Sequence, residues 1–256
     1  MTAPPGGSAG SAGPAGSGGP AGSGGRLAEL AANLAEVRDR IAAASAAAGR
    51  DPADVRLIAV TKTFPAADVM LLSELGLVDI GENKDQEAAP KAAACEAAGL
   101  SLRWHFIGQL QVNKAASVAR YADAVHSVDR DRLVTALSRR AVAAGRVINC
   151  LIQVSLDGQQ GRAGALAAQV PALADAVAAQ DGLELAGVMA VAPLGQPARP
   201  AYAQLREIAE TVRSAHPQAR AISAGMSGDL GEAIAEGATH VRIGTALLGG
   251  RRPFLR

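Results

Sequence analysis

Eight short apolar runs, separated by stretches of helical period, constrain this chain more than any other feature. The first four begin near Arg56, Asp79, Leu102 and Ala124, about 23 residues apart, which is room for a strand, a loop and a three-turn helix. Four more follow: "RVINCLIQVS" (146–155), "LAGVMAV" (185–191), "RAISAGM" (220–226) and "HVRIGTALL" (240–248). Between them lie segments such as "AYAQLREIAETVRSAHP", where Leu205, Ile208 and Val212 share one helical face. Asp129 is expected to cap the helix of "DRLVTALSRRAVAAG". Runs that are apolar throughout belong to parallel strands buried on both faces. The pattern predicts an α/β fold, a single (β/α)8 TIM barrel, with an open doubly wound sheet as the alternative that only strand order can exclude.

An extra helix is expected ahead of the first strand, because Leu27, Leu30, Leu34, Val37 and Ile41 recur at spacings of three and four before Gly49 and Asp51-Pro52 stop the pattern. Residues 1–25 contain almost nothing but Gly, Ala, Ser and Pro. Such a stretch buries too little side chain to offset the entropy of ordering, so it is expected to be a disordered tail, with residues 26–256 as the barrel domain. The tail lacks the basic and apolar regions of a signal peptide, and no apolar run approaches the ~18 residues of a membrane span. A soluble, cytoplasmic, monomeric protein is expected.

With a net charge of +1 and only 2% aromatic residues, the chain offers neither an electrostatic footprint for nucleic acid or membranes nor stacking platforms for single strands. A small-molecule ligand is the expectation that remains. Cys95 and Cys150 are far apart and read as buried, reduced thiols, and His105, His126, His216 and His240 are scattered, so no metal site is suggested.

In a barrel of this type the chemistry sits where the strands end. The first apolar run closes on Lys62, the second on "IGEN" with Asn83, the third is "WHFIG", the fourth "HSVD", the seventh "SAGMS" and the eighth "RIGT". A lysine held at such a mouth loses hydration, which favours its neutral, nucleophilic amine and hence Schiff-base chemistry. The competing reading has Lys62 snorkelling to solvent or pairing with Glu82. Ser223, Gly225, Ser227 and Gly228 precede a helix expected from about residue 229 to 237, and Gly244 and Thr245 close the last strand. Small residues let backbone amides approach an anion, and barrels commonly bind phosphate at these two loops. An amine at one side and a phosphate cradle at the other fit a ligand with an aldehyde and a phosphate, namely pyridoxal 5′-phosphate (PLP).

The words "AVTK" (59–62), "GENKDQE" (81–87), "WHFIGQLQVNK" (104–114), "HSVD" (126–129), "GMSGD" (225–229) and "VRIGTALLG" (241–249) resemble those of the pyridoxal phosphate homeostasis proteins, the YggS or PROSC family. The resemblance spans nearly all of the chain beyond the tail. It implies a barrel like the N-terminal domain of alanine racemase, with Lys62 as the internal aldimine lysine. It further implies that Gly225, Met226 and Ser227 of one loop, and Gly244 and Thr245 of the other, hold the phosphate, with Ser223 just ahead of them as a further cofactor-binding candidate. Arg242 would lie near the pyridine nitrogen and Asn83 would line the pocket. Ile80, Thr61 and Arg162 depart from an aromatic residue, a serine and a lysine usual in the family.

The resemblance also implies a holder of PLP that keeps its free pool in check, with PLP-dependent apoenzymes as candidate recipients. A racemase needs a base on each face of its substrate, and after the last strand only "GRRPFLR" (250–256) remains to supply one. An arginine at the pyridine nitrogen disfavours protonation of that nitrogen and makes the cofactor a poor electron sink. The alternatives are a PLP-dependent racemase or related enzyme, and a cofactor-free Schiff-base aldolase, which would be colourless.

Overall fold

The computed structural model describes residues 23–158 and 163–250. Eight parallel strands close into a barrel in the order β1 to β8, which decides for the TIM barrel against the open sheet. The strands are β1 (Arg56–Val60), β2 (Asp79–Glu82), β3 (Arg103–Phe106), β4 (Ala124–Val128), β5 (Ile148–Gln153), β6 (Leu183–Met189), β7 (Ala221–Ser223) and β8 (His240–Ile243). Helices α2 (Ala66–Glu74), α3 (Asp85–Ala97), α4 (Ala115–Tyr121), α5 (Asp131–Ala143), α6 (Val170–Ala178), α7 (Ala198–Ala215) and α8 (Leu230–Ala235) follow the first seven strands in turn. After β8 the chain makes the single turn α9 (Thr245–Leu248), so "HVRIGTALL" is a strand and a helix rather than one run.

The extra helix is present as α1 (Ser23–Ala47), and its start lies three residues inside the stretch expected to be tail; the remainder of that stretch, like Arg162, is outside the described residues. Leu30, Leu34, Val37 and Ile41 are buried, at about 1.5 to 3 kcal/mol of transfer free energy each. The same helix ties down the barrel seam between β8 and β1. Arg26 donates to the Leu248 carbonyl at 3.0 Å and to Asp68 at 2.8 Å, Asn33 to the Leu247 carbonyl at 3.0 Å, and Arg40 to the Ser227 carbonyl at 2.6 Å.

Two apolar clusters fill the layer between sheet and helices. The barrel interior is separate from them. Ile58, Val60, Leu151 and Met189 are buried but belong to neither cluster, and they share the interior with a column of polar side chains. That column was not expected from runs read as continuously apolar.

Asp129 does not cap the next helix. Helix α5 starts two residues later with Arg130 at the capping position, because Arg130 continues the extended path after β4, and Asp129 turns to pair with the Arg130 guanidinium. Asp229 likewise makes no cap bond to its helix; its carboxylate accepts from the Met226 amide at 2.6 Å and the Tyr202 hydroxyl at 2.7 Å.

Candidate functional site

Register places the expected residues on four neighbouring strand ends. Val60 pairs with Gly81, so Lys62, in the turn that follows β1, and Asn83, just after β2, both lie past the ends of adjacent strands. Ala59 pairs with Ile243, which brings Gly244 and the start of α9 at Thr245 beside the end of β1. A Cβ on Gly244 would lie 3.3 Å from the Val60 carbonyl oxygen, a measure of how closely the two ends approach. The loop after β7 joins them through the Arg242 amide, which donates to the Gly225 carbonyl at 3.0 Å. The quadrant β7–β8–β1–β2 thus gathers Lys62, Asn83, the 225–228 loop and Gly244-Thr245, with neighbouring strands about 4.8 Å apart.

Lys62 is exposed, not desolvated as the strand-end argument expected. The strand stops at Val60, and a four-residue turn closed by the Phe64 amide on the Thr61 carbonyl (3.0 Å) lifts Lys62 away from the interior. Thr63 occupies the third position of that turn with φ of 70°, a left-handed conformation that a β-branched residue resists. Its amide donates to Glu87 at 2.9 Å, which holds the strained turn in place. Nor does Lys62 pair with Glu82. That carboxylate accepts from Lys91 Nζ and from Thr61 Oγ1, both at 2.6 Å, and Lys91 also donates to the Thr61 carbonyl at 2.8 Å. Burial pushes the Glu82 carboxyl above its ordinary range while Lys91 and Thr61 pull against it. Two lysines therefore flank one turn with opposite roles: Lys91 is buried in bonds that brace Thr61, and Lys62 projects at the mouth.

The loops after β7 and β8 are built from small residues for packing reasons visible in the structure. Gly225 has φ of 87°, and a Cβ there would come within 2.7 Å of the Ala233 Cβ, so only glycine fits beneath α8. Ser227 Oγ accepts from the Ala246 amide at 3.3 Å, linking the two loops. Met226 fits less well: its side chain is exposed and its amide is taken by Asp229. Thr245 is exposed and Gly244 half-buried at the opening.

Beneath these loops Arg242 is buried in the barrel interior, where Nη1 donates to Ser223 Oγ at 2.7 Å and Nη2 to the Ala190 carbonyl at 2.9 Å. No carboxylate among the described residues forms a salt bridge with it, and burial lowers its pKa, with Tyr202 and Asp229 opposing from a distance. A buried guanidinium without a counterion is costly. Ser223, 0% exposed, faces this interior and not the loops expected to hold phosphate. Sequence reasoning missed what lies on its other side: His126, His105 and Asp79, linked in succession by contacts of 2.9 to 3.0 Å. A histidine inside each of two neighbouring buried strands was the available signal.

Cavities of 780 Å³, lined by Thr63, Phe64, Pro65, Lys84, Pro90 and Lys91, and of 200 Å³, lined by Asn83, Phe106, Gln111 and Lys114 among others, open beside the Lys62 turn. A third, of 620 Å³, lies at the opposite end against Glu184, Arg220 and His240, the face where barrel conservation serves stability. Among the described residues no cluster of His, Cys, Asp and Glu could hold a metal ion, and no helix is long and apolar enough to cross a membrane.

A closed eight-stranded barrel with a lysine after its first strand and small-residue loops after its last two defines the alanine racemase type: residues 27–252 match the family described as alanine racemase, N-terminal domain. Within that class the chain belongs to the pyridoxal phosphate homeostasis protein family. It is 44% identical over 245 residues to the pyridoxal phosphate homeostasis protein of Mycobacterium tuberculosis, covering 89% of this chain and 95% of that one. The structure of PipY from Synechococcus elongatus with PLP bound matches with a TM-score of 0.75 and 34% identity, covering 86% of this chain and all of that one. Alanine racemase from Corynebacterium glutamicum, at 15% identity and a TM-score of 0.62 with 60% of its chain covered, shares the fold alone.

Proposed function

We propose that this chain binds PLP at the β7–β8–β1–β2 quadrant and serves intracellular PLP homeostasis by holding the cofactor without turning over a substrate. The observation that carries the reading is the convergence of an accessible primary amine, two small-residue loops and a buried donor-only guanidinium on adjacent strand ends. That donor set fits PLP. When bound, PLP supplies an aldehyde that condenses with a primary amine to an imine, releasing water. Lys62 is the amine offered; Ser227, Gly225 and Thr245 with Gly244 cradle the phosphate; Asn83 lines the pocket; Arg242 donates to the pyridine nitrogen. The names of the relatives and the PLP in the PipY structure support the same reading.

The absence of turnover has its own physical support. The chain has two tyrosines. Tyr202 is buried with its hydroxyl on Asp229, and burial with that hydrogen bond pushes its pKa up. Burial, with the Asp85 and Glu82 carboxylates nearby, likewise pushes the pKa of Tyr121 up. Neither is placed to act as a base on a substrate at the mouth. The chain acts as a cytoplasmic monomer, with PLP-dependent apoenzymes as candidate recipients of the cofactor.

Absorbance of the purified protein before and after borohydride, followed by peptide mapping, tests the assignment. Visible absorbance that collapses on reduction, with the label on Lys62, is expected, and Lys62→Ala should retain only weak non-covalent binding. A label on Lys91 would overturn it, since that amine is engaged by Glu82 and the Thr61 carbonyl. A colourless protein unchanged by added PLP would point to the aldolase reading.

A further inference from the structure

The histidines of β3 and β4 stand beneath Arg242, and an inventory of donors and acceptors determines how they are protonated there. An arginine only donates and an ionised aspartate only accepts, so both ends of the column are fixed. Asp79 is clamped by Arg103 through Nε and Nη2, each at 2.7 Å. At the other end Arg242 Nη1 donates to Ser223 Oγ. Among the described residues the Ser223 hydroxyl proton then has one acceptor in reach, His126 Nδ1 at 2.9 Å. That leaves the His126 proton on Nε2, 3.0 Å from His105 Nδ1. His105 carries its own proton on Nε2, 2.9 Å from Asp79 Oδ1. Four hydrogen bonds therefore run in one direction, from Arg242 to Asp79, with both rings neutral and both in the Nε2–H form.

The reverse arrangement is poorer. An imidazolium at His105 would make His126 donate to Ser223, whose hydroxyl proton would lose its acceptor. It would also place a second cation in a core that already holds Arg242, with the His240 ring 6.5 Å from His105. Burial and the neighbouring His105, Arg242 and His240 hold the pKa of His126 well below its ordinary value. The column is closed off from bulk solvent: His126 and Ser223 are fully buried, and Arg242 and His105 are 4% and 5% exposed.

We propose that Asp79, His105, His126 and Ser223 form a polarised relay of positioning residues that orients the Arg242 guanidinium toward the pyridine ring of bound PLP. The relay rests on the PLP reading of the mouth. It fixes the plane of the guanidinium from below, through Ser223, while the Ala190 carbonyl fixes it from the side. Residues at the opposite end of the barrel thereby set affinity and electronic state at the cofactor.

Long-range ¹⁵N NMR of the histidine rings, on the protein free of PLP, tests the protonation pattern. Nε2–H forms are expected for both His105 and His126 at pH 7, and an Nδ1–H form or an imidazolium at either would overturn the relay. The coupling to Arg242 is read by PLP titration with absorbance spectra. Ser223→Ala and His126→Leu should weaken PLP by about tenfold and shift the visible band. His126→Asn, whose side-chain oxygen can still accept from Ser223, should recover most of the affinity. Variants that bind PLP with unchanged constant and spectrum would make the column a structural brace and refute the proposal, even if the tautomers are as expected. Wild-type protein that binds no PLP would instead defeat the reading of the mouth. Should His126→Leu fail to fold, Ser223→Ala and His126→Asn decide the question.

Discussion

Replacing Arg242 with methionine separates a guanidinium kept for a ligand from one kept for the fold. The side chain is 4% exposed and donates to Ser223 Oγ at 2.7 Å and the Ala190 carbonyl at 2.9 Å. Losing two charge-assisted bonds costs about 3 to 6 kcal/mol in gross terms. Removing a buried cation that has no salt-bridge partner among the described residues returns several kcal/mol of desolvation, and methionine keeps the volume filled. The two effects oppose, leaving about 2 kcal/mol or less in either direction, which in a domain of this size moves the melting temperature by less than about 8 °C. PLP affinity loses the pyridine contact outright and should fall by about 10- to 100-fold. Thermal unfolding without ligand and equilibrium titration with PLP measure the two quantities independently. An unchanged dissociation constant in a strongly destabilised protein would refute the reasoning, because the guanidinium would then be serving the barrel and not the cofactor.

Two further outcomes follow from strain and from buried histidines. Thr63→Gly relieves the left-handed turn and should leave the ligand-free protein as stable or up to about 1 kcal/mol more stable, while loosening the turn that presents Lys62 and weakening PLP severalfold; lost stability without lost affinity would contradict this. Burial, then the neighbouring His105 and Arg56, pushes His240 down to about 3, and His126 is lowered too. Below the ordinary histidine value of about 6.5 the unfolded chain binds protons that the folded one does not, so stability present at neutral pH is lost as pH falls, by up to about 1.4 kcal/mol per unit for each ring. Urea unfolding at pH 7.5 and 5.5 should show this loss, and His240→Gln should reduce it; an identical slope in the variant would exclude His240 as a source.

Much of the architecture was legible in the sequence, because strand and helix periods are local and the eight runs repeat. Leu30, Leu34, Val37 and Ile41 announced α1 by spacing alone, and the glycines and serines of 223–228 and 244–245 marked two loops where backbone must approach something closely. Lys62 was visible as the polar residue that ends an apolar run. Its environment was not: the turn closed at Thr61–Phe64 exposes it, and the Glu82 carboxylate assigned to it as a possible partner belongs to Lys91, on the next helix.

Chain order could not say which strands neighbour one another, and so could not decide between a closed barrel and an open sheet. Closure is a property of the ring of pairings, completed where Arg56–Ala59 meet His240–Ile243 from the far end of the chain. That the ends of β8, β1 and β2 lie side by side, with Gly244, Lys62 and Asn83 just past them, is a matter of register between those strands. The relay is more remote still from any local pattern. His126 and Ser223 are 97 residues apart and meet only because the barrel is narrow enough for side chains from facing strands to touch across its axis. Periodicity records which face a residue takes; only the closed sheet determines what it meets there.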